Sequence, residues 1–225
     1  MKHCIPDELF NRITFPADGT ALVGIDGICR EILYKLPKAE DVEVRREAWH
    51  AMCDFCARTG AYLIRVIPSN GEGRQVSLVP QYGKFLRVVG AEVQAEDGGP
   101  FVPTADFEIV VGDGGHLYAT FPDGVFCCAV TMSVRPAFDD ATADTNGDWA
   151  PKVPRYVVDR YGECVAHGAL ARLYMMRGQE GLARMHATAY NNDLNRLAFG
   201  LITAGMRKHL LIDVEDWLVN TNGNG

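Results

Sequence analysis

Residues 44–67 read VRREAWHAMCDFCARTGAYLIRVI, and this stretch decides the fold. Val44, Ala48, Ala51, Met52 and Phe55 recur at spacings of three and four, which places them on one face of a helix expected over 39–58. Glu40 and Glu43 near its start suit the positive end of the helix dipole, and Thr59-Gly60 is a stop signal. The period then changes. Tyr62-Leu63-Ile64-Arg65-Val66-Ile67 is rich in aromatic and β-branched residues and reads as a strand. The chain therefore passes from helix to sheet across a single glycine.

Toward the N-terminus, Thr20 is a candidate cap for a shorter helix whose inner face carries Ile25, Ile28, Cys29, Ile32 and Leu33, ended by Leu36-Pro37. Residues 1–19, broken by Pro6, Pro16 and Gly19, read as an extended segment. Toward the C-terminus, strands are expected at 76–79, 85–89, 107–111, 116–121 and 125–134. Asp113-Gly114 and Asp123-Gly124 read as hairpin turns. Residues 137–151 read as a linker. Two long helices follow. The first, about 154–176, carries the stripe Val158, Tyr161, Val165, Gly168, Ala169 and Leu173. The second, about 180–209, carries Leu182, Met185, Ala189, Tyr190, Leu194, Leu197 and Leu201. The short Arg177-Gly178 connection implies an antiparallel helix hairpin. The expected class is α+β: a helical bundle supplied by both ends of the chain (20–60 and 152–209), an inserted antiparallel β domain (61–136), and a polar tail (210–225).

Composition narrows function by exclusion. The 225 residues are 48% hydrophobic and 23% charged, enough apolar material for a core and too little charge for global disorder. Lys+Arg is 22 against Asp+Glu 29, a net charge of −7, which disfavours nucleic-acid binding by bulk electrostatics. No run approaches the ~18–20 apolar residues of a membrane span, so no membrane association is expected. Pro6, Asp7 and Glu8 interrupt any leader-like core, so no secretion is expected. The seven cysteines are odd in number and irregularly spaced, which suits reduced thiols.

The chemical motifs are incomplete. Cys53-Asp54-Phe55-Cys56 is a C-x-x-C, but structural zinc needs four ligands, and neighbours such as Cys127-Cys128 on a strand point to opposite faces. The pair reads as two small apolar residues on a packed helix. His50, His116, His167, His186 and His209 match no nucleophile signature. His167 and His186, on the two closing helices, are placed to approach one another and hydrogen bond. Asp113-Gly114-Gly115 lacks the spacing and following helix of a phosphate loop. Asp139, Asp140, Asp144 and Asp148 lack the glycine and terminal glutamate of a calcium loop. No catalytic residue, metal ligand or cofactor is assigned. Arg155, Arg160, Arg172, Arg177, Arg184 and Arg196 give the closing hairpin a basic character. That face reads either as ordinary helix surface or as a docking face for an acidic partner or nucleic acid.

Three segments carry a family resemblance. Arg46 to Thr59, ending Phe55-Cys56-Ala57-Arg58-Thr59, resembles the second helix of the head-to-tail connector (adaptor) proteins of tailed bacteriophages. Val157 to Met176, with Gly168-Ala169-Leu170-Ala171 at its centre, is similar to that family's third helix, and Ala183 to Leu194 to its fourth. Many relatives have a longer Pro-Gly-Lys-Pro-Trp-type loop where this chain has only Arg177-Gly178-Gln179.

The resemblance implies a non-enzymatic virion protein, made in the host cytoplasm and located in the neck. It would form a homo-oligomeric ring of about twelve copies by head-to-tail contacts that close. The ring would sit between the portal protein and tail or gatekeeper proteins and pass DNA without sequence-specific binding. Candidate partner-binding residues are Leu211, Asp216, Trp217 and Leu218 in the tail, with Arg172 and Arg184 on the hairpin; a tryptophan on a flexible segment is an efficient anchor. The alternatives are a tail-completion or gatekeeper ring protein, and a small Cys/His metal-binding protein or enzyme.

Overall fold

The computed structural model describes residues 12–14, 22–68, 74–78, 80, 83–112, 115–136 and 152–203. In chain order its elements are β1 (Arg12–Thr14), β2 (Leu22–Gly24), α1 (Asp26–Lys35), α2 (Asp41–Thr59), β3 (Leu63–Ile67), β4 (Gln75–Ser77) and β5 (Lys84–Gln94). They continue with β6 (Val102–Thr104), β7 (Glu108–Val111), β8 (Leu117–Thr120), β9 (Cys127–Arg135), β10 (Lys152–Pro154), α3 (Arg155–Met176) and α4 (Glu180–Thr203).

The expected class, a helical bundle from both ends of the chain with an inserted antiparallel β domain, is corrected by this order. β1 and β2 precede any described helix, and seven of the ten strands end by Val111, so strands dominate the N-terminal half. They form three antiparallel sheets rather than one inserted unit: β1-β3-β9-β5-β6, β10-β2 and β4-β8-β7. The physical reason is long-range pairing. β1 lies against β3, with Ile13 opposite Val66, and β2 lies against β10, with Val23 opposite Val153. A three-residue ladder has no periodicity of its own; the partner strand creates it.

Helices and sheets also share one core. Trp49, Met52 and Phe55 of α2, Ile64 of β3, Met132 of β9, Val76 before β8's Ala119, and Leu170 and Leu173 of α3 all belong to one buried cluster. β9 contacts both α2 and β4. Cys127, Cys128, Ala129 and Val130 are buried in succession, so both faces of β9 are covered. The Tyr156 hydroxyl, at the start of α3, accepts from the Leu63 N–H at 2.9 Å and donates to the Ala61 carbonyl at 2.9 Å, fixing α3 to the entry of β3.

The switch from α2 to β3 depends on Gly60. It ends the helix at φ 67°, and its N–H donates to the Cys56 carbonyl at 2.8 Å. A Cβ there would sit 2.6 Å from the Arg87 guanidinium and 3.0 Å from the Ser133 hydroxyl. Both the left-handed backbone and the crowded approach of the sheet select glycine.

Asp113-Gly114 lies outside the described residues, but the strands flanking it do pair as a hairpin, with Val111 opposite Leu117 and the Gly112 N–H donating to the His116 carbonyl at 2.7 Å. Asp123-Gly124 is not a hairpin turn: it carries the chain from β8 in the third sheet to β9 in the first. The expected cap Thr20, the linker 137–151 and the tail 210–225 also lie outside the described residues. Among the described residues, no helix is long and apolar enough to cross a membrane.

Candidate functional site

Segments 46–59, 157–176 and 183–194 lie on α2, α3 and α4, and these helices meet at Gly168. A Cβ on Gly168 would stand 3.2 Å from the Cβ of Ala51 and 3.1–3.2 Å from the ring of Tyr190. The absent side chain thus lets three helices approach at one point. Tyr190 is held there by its hydroxyl, which donates to the Asp54 carboxylate at 2.8 Å. Burial, followed by the nearby Asp54 charge, pushes the Tyr190 phenol well up, so it stays a neutral donor. The guanidinium of Arg58 lies 6.0 Å from the centre of the same ring and 3.7 Å from Asp54. Asp54, Arg58 and Tyr190 therefore form a polar clasp on the outer side of the α2–α4 contact.

Cys53 and Cys56 sit on α2 late in the helix. Cys56 is fully buried, and burial drives its thiol far above the ordinary range. Cys53 is half-buried and donates to the Pro136 carbonyl at 3.2 Å. Burial likewise raises Cys29 to about 11, and Cys128 and Cys164 to about 12. A thiolate nucleophile or ligand requires the opposite shift. Among the described residues, no group of three or more His, Cys, Asp or Glu side chains is arranged to hold a metal ion.

His167 of α3 and His186 of α4 do come together, with Nδ1 to Nδ1 at 2.8 Å and ring centres at 4.9 Å. One nitrogen donates and the other accepts, so the contact requires at least one neutral ring. Tyr174 stacks on His186 at 5.3 Å and 13°. His186 is buried, and its pKa is lowered first by that burial, then by His167 and by Lys35 of α1, whose own ammonium is paired with Glu31 at 2.9 Å. A group kept neutral by the fold contributes stability that is complete above its ordinary value of 6.5 and is lost as pH falls below it, because the unfolded chain takes up the proton first. Thermal unfolding followed between pH 7.5 and pH 5 should therefore show a falling midpoint. The slope should shrink in His186→Gln. An unchanged slope in that variant would assign the pH dependence elsewhere.

Of the residues expected to bind partners, Leu211, Asp216, Trp217 and Leu218 lie outside the described residues. Arg172 is exposed on α3 and pairs with no described carboxylate. Arg184 is exposed on α4 and pairs only with Glu180, one turn away at 3.4 Å. The hairpin turn between these helices is firmly built: the Arg177 guanidinium spans the Leu173 carbonyl at 3.2 Å and Glu43 of α2 at 2.6 Å.

Sequence reasoning missed two surfaces. On α4 Tyr190 and Leu194 of the expected stripe do face inward, but in the first turns the buried positions are Ala183 and His186, so Leu182 and Met185 face outward at 42% and 55% exposure. Met175 and Met176 at the end of α3 are also exposed, and these four form the apolar end of the helix hairpin. On the third sheet, every residue of β7 is exposed, Ile109, Val110 and Val111 among them. β7 is an edge strand. A groove of about 340 Å³ runs beside it, walled by Phe85, Val88 and Ala91 of β5 and by Pro103, Phe107 and Ile109. The alternation in Glu108-Ile109-Val110-Val111 was too weak to signal a strand open on both faces. No protein-family model matches this chain, and no curated protein matches its sequence.

Proposed function

We propose that this chain is the subunit of an adaptor ring that joins the capsid portal of a tailed bacteriophage to the tail and extends the DNA channel. The observation that carries this reading is the meeting of the three connector-like segments, on α2, α3 and α4, at Gly168. Segments that resemble one family by sequence are here neighbours in space, and the residues that make the resemblance are those that let the helices pack. The raised thiols support a structural rather than catalytic role. The net charge of −7 suits a channel that lets DNA slide past without gripping its phosphates.

Negative-stain imaging of the purified chain, alone and mixed with the portal of its own phage, tests the reading. Rings, with about twelve-fold symmetry by analogy with closed head-to-tail assemblies, are the expected result in at least the mixed sample. Compact monomers in both samples would reject it. Rings that bind tail components and ignore the portal would favour a gatekeeper instead.

A further inference from the structure

We infer that the apolar end of the α3–α4 hairpin is one half of a head-to-tail contact whose other half is the β7 edge of a second copy of this chain. The inference rests on the adaptor reading and names the surfaces that would join its subunits. Met175, Met176, Leu182 and Met185 are each 42–55% exposed, and Ile109, Val110 and Val111 are 42–69% exposed. Met175, Met176, Leu182 and Met185 are exposed beside the α3–α4 turn, and along β7 Ile109 and Val111 point to one face with Val110 on the other; large apolar side chains facing water in this way mark an interaction site. Methionines adapt to an irregular partner, and β7, which pairs with β8 on one side and with no described strand on the other, is an edge that folded proteins normally cover.

Charge selects the occupant. Arg172 and Arg184 flank the hairpin residues; Arg184 already pairs with Glu180 at 3.4 Å, so Arg172, which has no described carboxylate partner, is the charge left to select an occupant. Asp106 and Glu108 flank the β7 cluster, are exposed, and pair with no described cation. A like-to-like contact would bring arginine to arginine, or carboxylate to carboxylate. A hairpin-to-β7 contact brings opposite charges around an apolar centre, which favours that pairing and rejects the others. Two different faces on one chain give a heterologous contact, which makes rings or filaments rather than two-fold dimers.

Sedimentation velocity of the full chain at up to about 1 mM, the weak end of specific association, tests this. The wild type should self-associate. Met185→Asp breaks only the hairpin face and Val111→Asp only the β7 face; both positions are exposed, so folding should be retained, and circular dichroism checks it. Each variant alone should associate at least about tenfold more weakly, because an aspartate would be buried in the apolar centre. An equimolar mixture should form a one-to-one dimer that grows no further, since a single intact junction remains. Met176→Asp and Ile109→Asp provide an independent pair with the same expectation. Wild type that stays monomeric, variants that assemble normally, or a mixture that forms no heterodimer would each overturn the inference. The adaptor reading is decided separately, by the portal imaging.

Discussion

Phe55→Ala is expected to lower the unfolding free energy by about 3–5 kcal/mol, the cost of deleting a fully enclosed aromatic ring and leaving a cavity. Phe55 is fully buried on α2, and its ring centre lies 5.0 Å from that of Tyr161 on α3. A domain of this size holds only about 5–15 kcal/mol in total, so the variant would sit near the edge of folding. Because α2 shares its core with β3 and β9, the loss should register equally in helix and sheet. Urea unfolding followed by the fluorescence of Trp49 on α2 and by amide hydrogen exchange along β3 and β9 should shift together. If the β signal kept its wild-type midpoint while the helices melted, the shared core would be wrong.

Gly168→Leu is the second large effect, expected at about 3 kcal/mol, the upper part of the usual range for overpacking. A bare Cβ already comes within 3.1 Å of Tyr190, and Tyr190 cannot swing aside without breaking its 2.8 Å bond to Asp54. A leucine must therefore push α4 or α2 away from α3. Gly168→Ala is the mild control, since about 1 kcal/mol of helix propensity works against the crowding. Equilibrium unfolding of both variants separates the outcomes. A leucine variant as stable as the wild type would mean that the three helices do not converge there.

Long helices were legible in the sequence because their burial is periodic. Val44, Ala48, Ala51, Met52 and Phe55 were expected on one face of α2, and all five are buried. β3 and β9 were legible as continuous runs of apolar and β-branched residues; Ile64 and Val66 alternate inward along β3, whereas β9 is covered on both faces. Of the strands of three residues only β4 was, overlapping the run expected at 76–79; β1, β2, β6 and β10 were not. β6 contains Pro103, which fits only at a sheet edge, and β10 ends in Pro154, which read as the start of a helix. Their existence depends on partners far along the chain. α4 was legible in its extent and at Tyr190 and Leu194, which are buried as expected, and was misread only in its first turns. Apolarity chose Leu182 and Met185 for the inside, whereas the fold turns His186 inward to meet His167. A rule that ranks residues by hydrophobicity errs where a polar pair is satisfied in the core, and the misplaced side chains are those proposed to contact another subunit.

The central place of β9 also sets the order in which this chain can be completed. β9 is the middle strand of the first sheet and pairs with β3 on one side, Leu63 opposite Ser133, and with β5 on the other, Lys84 opposite Arg135. A ribosome delivers β3 and β5 long before β9, so their inner edges wait unclaimed while the intervening chain emerges. The α3–α4 hairpin, by contrast, closes through a local turn. Contacts so distant in sequence slow folding, while local helix pairs form early. Nascent chains of this protein would thus be most vulnerable to mispairing in the interval between synthesis of β5 and arrival of β9, and crowded expression should penalise them there.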